Sequence, residues 1–229
     1  MDDTPKHRLL DAAGAAFAGQ GYAGAAVRDI CQAAGLNIAS VNYYFGDKER
    51  LYTETVKYAC EKSAAKFPMP QWPAGTPAWD RLQDFIKTFV NRLMDPENKP
   101  WQTQIIMQEM AKPTSACLEW IRDYVQPMAD VLKSILGELT HKTEADDKTY
   151  MIGFSIVGQC LYYRQNRPIG EQLMGKERFA GLTAAMIASH ICAFTAAALG
   201  IEPPMLAKPH VKKLIQTRSR ALPARGQNS

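Results

Sequence analysis

The chain has 229 residues, of which 46% are hydrophobic and 22% are charged. This composition is typical of a globular protein and excludes fibrous and wholly disordered classes. The five cysteines are spread from position 31 to position 192, too far apart for a CxxC pair or a disulfide framework. The charged start MDDTPKHR lacks the order of a secretory signal. Both features predict a reducing, cytoplasmic location.

The net charge of +4 comes from one end of the chain. Residues 1–67 carry 8 basic and 8 acidic side chains, whereas residues 205–229 carry 6 basic and no acidic ones. Proline and glycine also interrupt this last stretch, so residues 204–229 are predicted to be a basic, flexible tail. Such a tail either solvates the protein or adds a contact to phosphate, which needs only positive charge.

Apolar residues recur with helical spacing almost everywhere, and no long window alternates with period two, so the chain is predicted to be all-α. In the first segment Leu10, Ala13 and Phe17 fall on one helix face. The helix is expected to end at Gly19-Gln20-Gly21, because glycine adopts the left-handed conformation that ends helices.

Two short helices follow, at Val27–Ala34 and Ile38–Phe45, with Gly35 between them and Asn37 as the N-cap of the second. These dimensions match a helix-turn-helix, whose second helix enters the major groove of DNA. The residues predicted to face inward from the second helix are Ile38, Val41 and Phe45.

The opposite face of that helix is small and polar. Ala39, Ser40 and Tyr43 lie outward, with Asn42 and Tyr44 on the flanks. Small side chains allow close approach to base edges, while hydroxyl and amide groups bond to bases or phosphate. A solvated face without a function would more often carry Lys and Glu. A long helix is predicted to start again at Lys48.

Four prolines and one glycine in residues 68–77 exclude a regular helix, so a module boundary is predicted there. The expected modules are residues 1–67 and 68–203. Further helices are predicted at Trp79–Leu93, Trp101–Ala111, Leu118–Leu139 with a kink or restart at Pro127, Lys148–Tyr163 and Lys176–Leu199, with a loop at Arg164–Pro168.

The stretch Phe179–Ile201 has no formal charge and is long enough to span a bilayer. Its alanines and polar residues favour a buried or subunit-interface helix over a membrane span. The last two helices also contain Gly153, Gly158 and Gly181. They are therefore predicted to pair with their copies as the four-helix interface of a homodimer, and no membrane partner is expected.

Residues 5–55 resemble the DNA-binding domain of TetR-type transcriptional regulators. The resemblance is carried by Gly21-Tyr22, Val27-Arg28-Asp29-Ile30, Ala33-Ala34-Gly35-Leu36 and Val41–Leu51. Two later segments, Gln108–Thr114 and Gly158–Arg164, are similar to the C-terminal domain of the CecR-type branch. The resemblance implies a homodimer that binds a palindromic double-stranded DNA operator and is released by a small-molecule effector.

Carried over residue by residue, the resemblance implies a set of DNA contacts. Two departures stand out: Ala25 and Ala26 replace the usual hydroxyl cap of the second helix, and Tyr44 stands where histidine is frequent. The implied contacts are Arg28 near DNA, Asn37, Ala39, Ser40, Asn42 and Tyr43 at the groove, and Tyr44 and Lys48 on phosphates.

Aromatic and methionine residues are abundant between Trp79 and Tyr162, which suits either plain core or an adaptable apolar effector cavity. The candidates for such a cavity are Phe85, Phe89, Trp101, Met107, Trp120, Tyr124, Phe154 and Tyr162. The sequence contains no metal-ligand pattern, nucleophile elbow or phosphate loop, so no metal, cofactor or enzymatic activity is predicted. The prediction is a ligand-responsive repressor, and the alternative is a helical interaction module without DNA binding.

Overall fold

A computed structural model describes residues 4–141 and 146–201. All regular secondary structure in these residues is helical, which confirms the all-α prediction. The tail predicted at 204–229 lies outside the described residues. In chain order the helices are α1 (Pro5–Gly24), α2 (Val27–Ala33), α3 (Ile38–Phe45), α4 (Lys48–Lys66), α5 (Ala78–Met94), α6 (Pro100–Ala111), α7 (Ser115–Trp120), a π-helical turn (Ile121–Val125), α8 (Gln126–Leu139), α9 (Asp147–Gln165), α10 (Arg167–Met174), α11 (Lys176–Ala180) and α12 (Ala184–Leu199).

Helix α1 is interrupted where the sequence predicts its end. The side chain of Thr4 caps its start by accepting from the His7 backbone N–H at 3.3 Å. Gly21 then leaves helical geometry, with φ 72° and ψ 170°, before the chain resumes a last helical turn. Glycine adopts this backbone conformation without the clash that a Cβ would cause. The predicted stop is therefore a break inside a longer helix.

Helices α2 and α3 meet at the predicted tight turn. Gly35 has φ +65°, and the Asn37 side chain accepts from the Ser40 N–H at 3.1 Å, which confirms the N-cap. Val41 and Phe45 are buried as predicted, but the inward position predicted for Ile38 is wrong because its side chain is 49% exposed. As the first residue of α3, Ile38 lies at the open end of the turn, beyond the reach of the core.

Helix α8 restarts at the predicted proline. Pro127 lies in the first turn of α8, directly after the π-helical turn that joins it to α7. Proline has no N–H to donate to the preceding turn, so a continuous α-helix would lose a hydrogen bond at this point. The wider π turn, in which bonds reach back five residues, accommodates that loss.

Two predictions near the C-terminal end are wrong. The loop expected at Arg164–Pro168 is helical except at Asn166, because Pro168 fits the first turn of α10 without loss of an intrahelical bond. The helix expected at Lys176–Leu199 is two helices, α11 and α12. Thr183 separates them by accepting from the Met186 N–H at 3.2 Å as the N-cap of α12.

The helices bury two hydrophobic cores. The first core contains residues of α1, α2, α3 and α4, together with Trp101 and Ile105 of α6 and Ala116 of α7. The second core contains residues of α5, α8, α9 and α12. Helices α1 and α6 approach so closely that a Cβ on Gly14 would lie 2.4 Å from the Trp101 ring. The amino-terminal helices are therefore packed directly on α6 and α7.

No helix within residues 4–141 and 146–201 is long and apolar enough to cross a membrane. The uncharged stretch Phe179–Ile201, which is long enough to span a bilayer, contains α12. This helix buries Ile187, Ile191 and Ala196 in the second core.

Candidate nucleic-acid interface

One face of α3 is exposed, polar and uncharged. Tyr43 is 82% exposed, and Ala39 and Asn42 are exposed beside it. On the opposite face Val41 and Phe45 retain only 1% and 7% exposure. The helix is thus anchored on one side and presents short polar side chains on the other, as close approach to base edges requires.

Two tyrosines extend this face toward its C-terminal end. The rings of Tyr43 and Tyr44 pack edge to face, with their centroids 4.9 Å apart. This packing restricts both side chains while leaving Tyr44 36% exposed. Tyrosine hydroxyls bond readily to phosphate oxygens, so the pair is suited to contact a DNA backbone or a groove edge.

The start of α3 is occupied by its own cap. Asn37 Oδ1 accepts from both the backbone N–H and the hydroxyl of Ser40, at 3.1 and 3.2 Å. Ser40 is partly buried and Asn37 exposed. The cap uses the amide oxygen of Asn37 and leaves its amide N–H groups for a ligand, so its acceptor role is structural.

Basic side chains flank the polar face. The Lys48 ammonium lies 4.9 Å from the centroid of the Tyr22 ring and donates to the Ala23 carbonyl at 3.5 Å, which fixes it at the joint between α1 and α4. Arg28 is exposed in the first turn of α2. Sequence reasoning missed Lys6, whose ammonium lies 5.9 Å from the centroid of the Phe45 ring. Lys6 comes close to α3 only through tertiary packing, so no local sequence pattern marks it.

The acidic residues that balance the charge of residues 1–67 are largely engaged away from this face. Carboxylates on α1 and α4, and Asp47 just before α4, are held by side chains or backbone groups of the protein. The contacts are Asp11 with Lys99 at 2.8 Å, Asp47 with the Arg50 N–H at 2.7 Å, Glu49 with the Ser115 hydroxyl at 2.8 Å and Glu54 with Arg50 at 2.7 Å. These four carboxylates are engaged within the protein, whereas Asp29 is exposed on α2 beside Arg28.

A buried carboxylate connects α4 to the following module. Glu109 is 1% exposed and accepts hydrogen bonds from the hydroxyl of Tyr52 and from the hydroxyl and N–H of Thr114, the last two at 2.9 and 3.1 Å. Burial and this carboxylate raise the pKa of Tyr52 well above its usual range. Sequence reasoning noticed the segment Gln108–Thr114 but assigned no role to its glutamate.

The eight residues predicted to line an effector cavity are not brought together. Phe85 is in the second core and Trp101 in the first, while Met107, Phe154 and Tyr162 are exposed. Phe89, Trp120 and Tyr124 are partly buried. Two open cavities of the described residues, about 490 and 650 Å³, lie beside residues 72–78 and between α1 and α2, and none of the eight lines them.

Comparison with known proteins identifies both parts of the chain. Residues 9–55 match the model of bacterial regulatory proteins of the tetR family. Residues 78–200, more than half of the chain, match the C-terminal domain of the HTH-type transcriptional dual regulator CecR. The chain belongs to the TetR family, with a CecR-type C-terminal domain. It is therefore a DNA-binding transcriptional regulator, and the prediction that it is not an enzyme is confirmed.

A curated relative of this TetR-family chain is the HTH-type transcriptional dual regulator CecR of Shigella flexneri. It is 24% identical over 170 residues, which cover 69% of this chain and 75% of the relative. Among solved structures, the fatty acid degradation regulator FadR from Bacillus halodurans has a TM-score of 0.58 at 18% identity, covering 83% of this chain and 93% of its own. AibR, solved with isovaleryl coenzyme A and operator DNA, also has a TM-score of 0.58, at 16% identity, covering 83% and 97%. These structures share the fold.

Proposed function

We propose that the chain is a repressor that binds a palindromic operator as a homodimer in the cytoplasm and is released by a small apolar or amphipathic molecule. Residues 1–67 form the DNA-reading module, and residues 68–203 form the effector-binding and dimerisation module. The observation that carries this proposal is the outward face of α3, where Asn42 and the 82% exposed Tyr43 make no side-chain hydrogen bond within the described residues. Arg28, Tyr44 and Lys48 add phosphate contacts on either side.

Two exposed apolar stripes support the homodimer. Met151, Phe154 and Tyr162 follow one face of α9, and Met186 and Phe194 follow one face of α12. Phe154 is 71% and Phe194 56% exposed, a high exposure for side chains of this size on a protein surface. Pairing the two helices with their copies would bury both stripes and create the two-fold symmetry that a palindromic operator requires.

Light scattering tests the dimer directly. The wild-type chain should have a mass of about twice 25.5 kDa at micromolar concentration. Phe154→Lys combined with Phe194→Lys should give a monomer, because each lysine would place a charge in an apolar interface. Leu118→Lys is the matched control, since Leu118 is 73% exposed on α7, outside both stripes, and this variant should stay dimeric. A monomeric wild type would overturn the dimer and the palindrome together.

Release by a ligand follows from a change in population. A molecule that binds better to an arrangement with the two α3 helices wrongly spaced shifts the dimer away from DNA, by no more than its difference in affinity for the two arrangements. AibR, a protein of the same fold, binds isovaleryl coenzyme A and operator DNA in one structure, so this fold can hold a small acyl compound as well as a duplex. Linkage requires DNA to weaken effector binding by the same factor.

Selection from random duplexes is the experiment that tests the operator. Wild-type protein should enrich fragments with two inverted half-sites, whose centres lie about one helical turn, or a multiple of it, apart. Enrichment of single, unrepeated sites would contradict the palindrome. Transcription in vitro from a promoter containing the selected site should fall when the protein is added, and a rise would contradict repression.

A further inference from the structure

Four polar side chains converge where α4, α5, α7 and the π-helical turn meet. They are Cys60 of α4, Arg92 of α5, Trp120 of α7 and Tyr124 of the π turn, and all four are partly buried. The Arg92 charge and the Trp120 indole both act on the Cys60 thiol, and Tyr124 lies close enough to interact with that thiol as well. We refer to these four residues as the Arg92 cluster.

Arg92 has no carboxylate partner among the described residues. Its Nε donates to the Phe67 carbonyl at 2.7 Å, and one Nη lies 3.2 Å from the sulfur of Met128, a weak acceptor. A guanidinium has five N–H donors, so most of its hydrogen-bonding capacity is unused. Burial lowers the pKa of Arg92, which reflects the cost of holding this charge away from water.

The neighbours of Arg92 add donors rather than acceptors. The indole N–H of Trp120 is buried and makes no hydrogen bond of normal geometry within the described residues. Burial raises the pKa of the Cys60 thiol to about 11, although Trp120 and Arg92 oppose the rise. The thiol therefore stays neutral near pH 7 and supplies no counter-charge. Arg92 is the one positive charge of the cluster, and the exposed carboxylates of Glu61 and Asp123, which act on Tyr124, form no ion pair with it among the described residues.

Two nearby lysines, in contrast to Arg92, are paired with carboxylates. Lys57 pairs with Asp123 at 2.7 Å, and Lys66 pairs with Asp95 at 2.9 Å. Arg92 is more deeply placed than an ordinary surface arginine and still lacks a carboxylate. A partly buried guanidinium with unused donors and two further donors beside it can bind the oxygens of a ligand at little cost in desolvation.

We propose that the Arg92 cluster binds the carboxylate of an amphipathic effector, with Arg92 and the Trp120 N–H donating to its oxygens and the apolar tail lying on Met128 and Phe67. This inference rests on the ligand-gated function proposed above and names the chemistry of its effector. A planar guanidinium matches a carboxylate with two parallel hydrogen bonds. A phosphate dianion would need a second cation, and the nearby Lys57 is already paired with Asp123.

The position of the cluster connects the ligand to the DNA-reading module. Cys60 lies on α4, whose first residue, Lys48, follows α3 after a two-residue turn. Trp120 and Tyr124 lie where α7 passes into the π turn, and single π turns inside helices often occur at functional sites. A carboxylate between them would shift α4 relative to α7 and thereby alter the placement of α3.

Calorimetry with decanoate and decanol tests the proposal on the full-length chain. Decanoate should bind the wild type, and decanol, which has the same tail but no charge, should bind at least about tenfold more weakly. Arg92→Gln should weaken decanoate binding by about ten- to a hundredfold and leave decanol binding unchanged. Arg164→Gln is the matched control, because Arg164 is also partly buried, and its Nε donates to a threonine hydroxyl at 2.8 Å rather than to a carboxylate.

A second variant protects the test against misfolding. Trp120→Phe removes only the indole N–H and the second ring, and it should weaken decanoate binding by about tenfold. The proposal is wrong if decanoate does not bind the wild type, if decanoate and decanol bind equally, or if Arg164→Gln abolishes decanoate binding while Arg92→Gln does not.

Duplex binding measured in parallel separates this inference from the proposed function. If the protein binds its selected duplex but not decanoate, only the carboxylate site is overturned. If decanoate binds as predicted but the protein binds no duplex, the site stands and the proposed function fails. Release of the duplex by decanoate, reduced in Arg92→Gln, supports both.

Discussion

The two sides of the DNA-reading module differ in how their polar side chains are used. On the outer side, formed by the exposed face of α3, the side chains of Asn42 and Tyr43 are exposed and make no hydrogen bond within the described residues. On the inner side, where α1 and α4 pack against α6 and α7, polar side chains are tied to one another. Arg50 donates to Glu119 at 2.8 Å, and the amides of Gln104 and Gln108 both donate to the Ala18 carbonyl at 2.8 Å.

This difference indicates a division of work. Side chains that contact DNA must exchange water for bases and phosphates, so an intramolecular partner would compete with the duplex. In the proposed function, the side chains that connect α4 to the C-terminal domain hold the two parts together, so their partners lie within the protein. Substitutions on the inner side should therefore change stability without altering the DNA-contacting side chains, and substitutions on the outer side should change DNA affinity without altering stability.

The largest expected effect comes from the tightest contact of the inner side. Gly14→Ala would place a Cβ 2.4 Å from the Trp101 ring and should lower the free energy of unfolding by about 3 kcal/mol through overpacking. Urea denaturation measures this change. Gly19→Ala is the control in the same helix, because nothing lies within 4 Å of its added Cβ, and it should be neutral or stabilising by up to about 1 kcal/mol. Equal stability of the two variants would show that α1 and α6 are not held this closely.

A smaller loss is expected from the buried carboxylate of the inner side. Glu109→Ala leaves the hydroxyls of Tyr52 and Thr114 without their acceptor and should lower the free energy of unfolding by about 2 kcal/mol. Glu119→Ala is a useful comparison, since its partly exposed ion pairs should contribute about 1 kcal/mol or less. If Glu119→Ala lowered the free energy of unfolding more than Glu109→Ala, the exposed ion pairs would contribute more stability than the buried hydrogen bonds, contrary to this prediction.

The smallest expected effect is a change in how stability depends on pH in the acid range. Hydrogen bonds from Arg122 and Lys57 lower the pKa of Asp123 from 3.8 to about 2. The ionised carboxylate therefore stabilises the fold above its ordinary pKa, and this contribution is lost as the pH falls toward 2. Asp123→Asn should show a smaller fall in melting temperature between about pH 5 and about pH 2.5 than wild type. Identical melting curves for Asp123→Asn and wild type would show that the ion pairs of Asp123 do not stabilise the fold.

The reading module could be predicted from local sequence. Its helices are marked by residues close to their ends, such as Asn37, which caps α3, and Gly35, which adopts the positive φ of the turn. Its buried residues follow helical spacing. Ile38 was misplaced because spacing alone does not show where a neighbouring helix ends.

The C-terminal domain was less predictable because its arrangement depends on distant contacts. Abundant aromatic residues cannot indicate which of them share a core, and the structure separates Phe85 from Trp101. The break at Thr183 has a capping signal that the uncharged run around it concealed. The Arg92 cluster joins Trp120 and Tyr124, which the sequence analysis names as effector candidates, to Cys60 and Arg92, which no spacing in the sequence connects to them.

The most direct test of the account is the affinity of the selected duplex for wild-type protein and for the double variant Asn42→Ala, Tyr43→Ala, measured across salt concentrations. Both side chains are exposed, so the variant should unfold at the wild-type denaturant concentration and remain dimeric. Its affinity should fall by about 1–3 kcal/mol, toward that for random duplexes, while the salt dependence set by the phosphate contacts stays nearly unchanged. Equal affinities of the two proteins for the selected duplex would contradict the assignment of α3 as the helix that reads DNA.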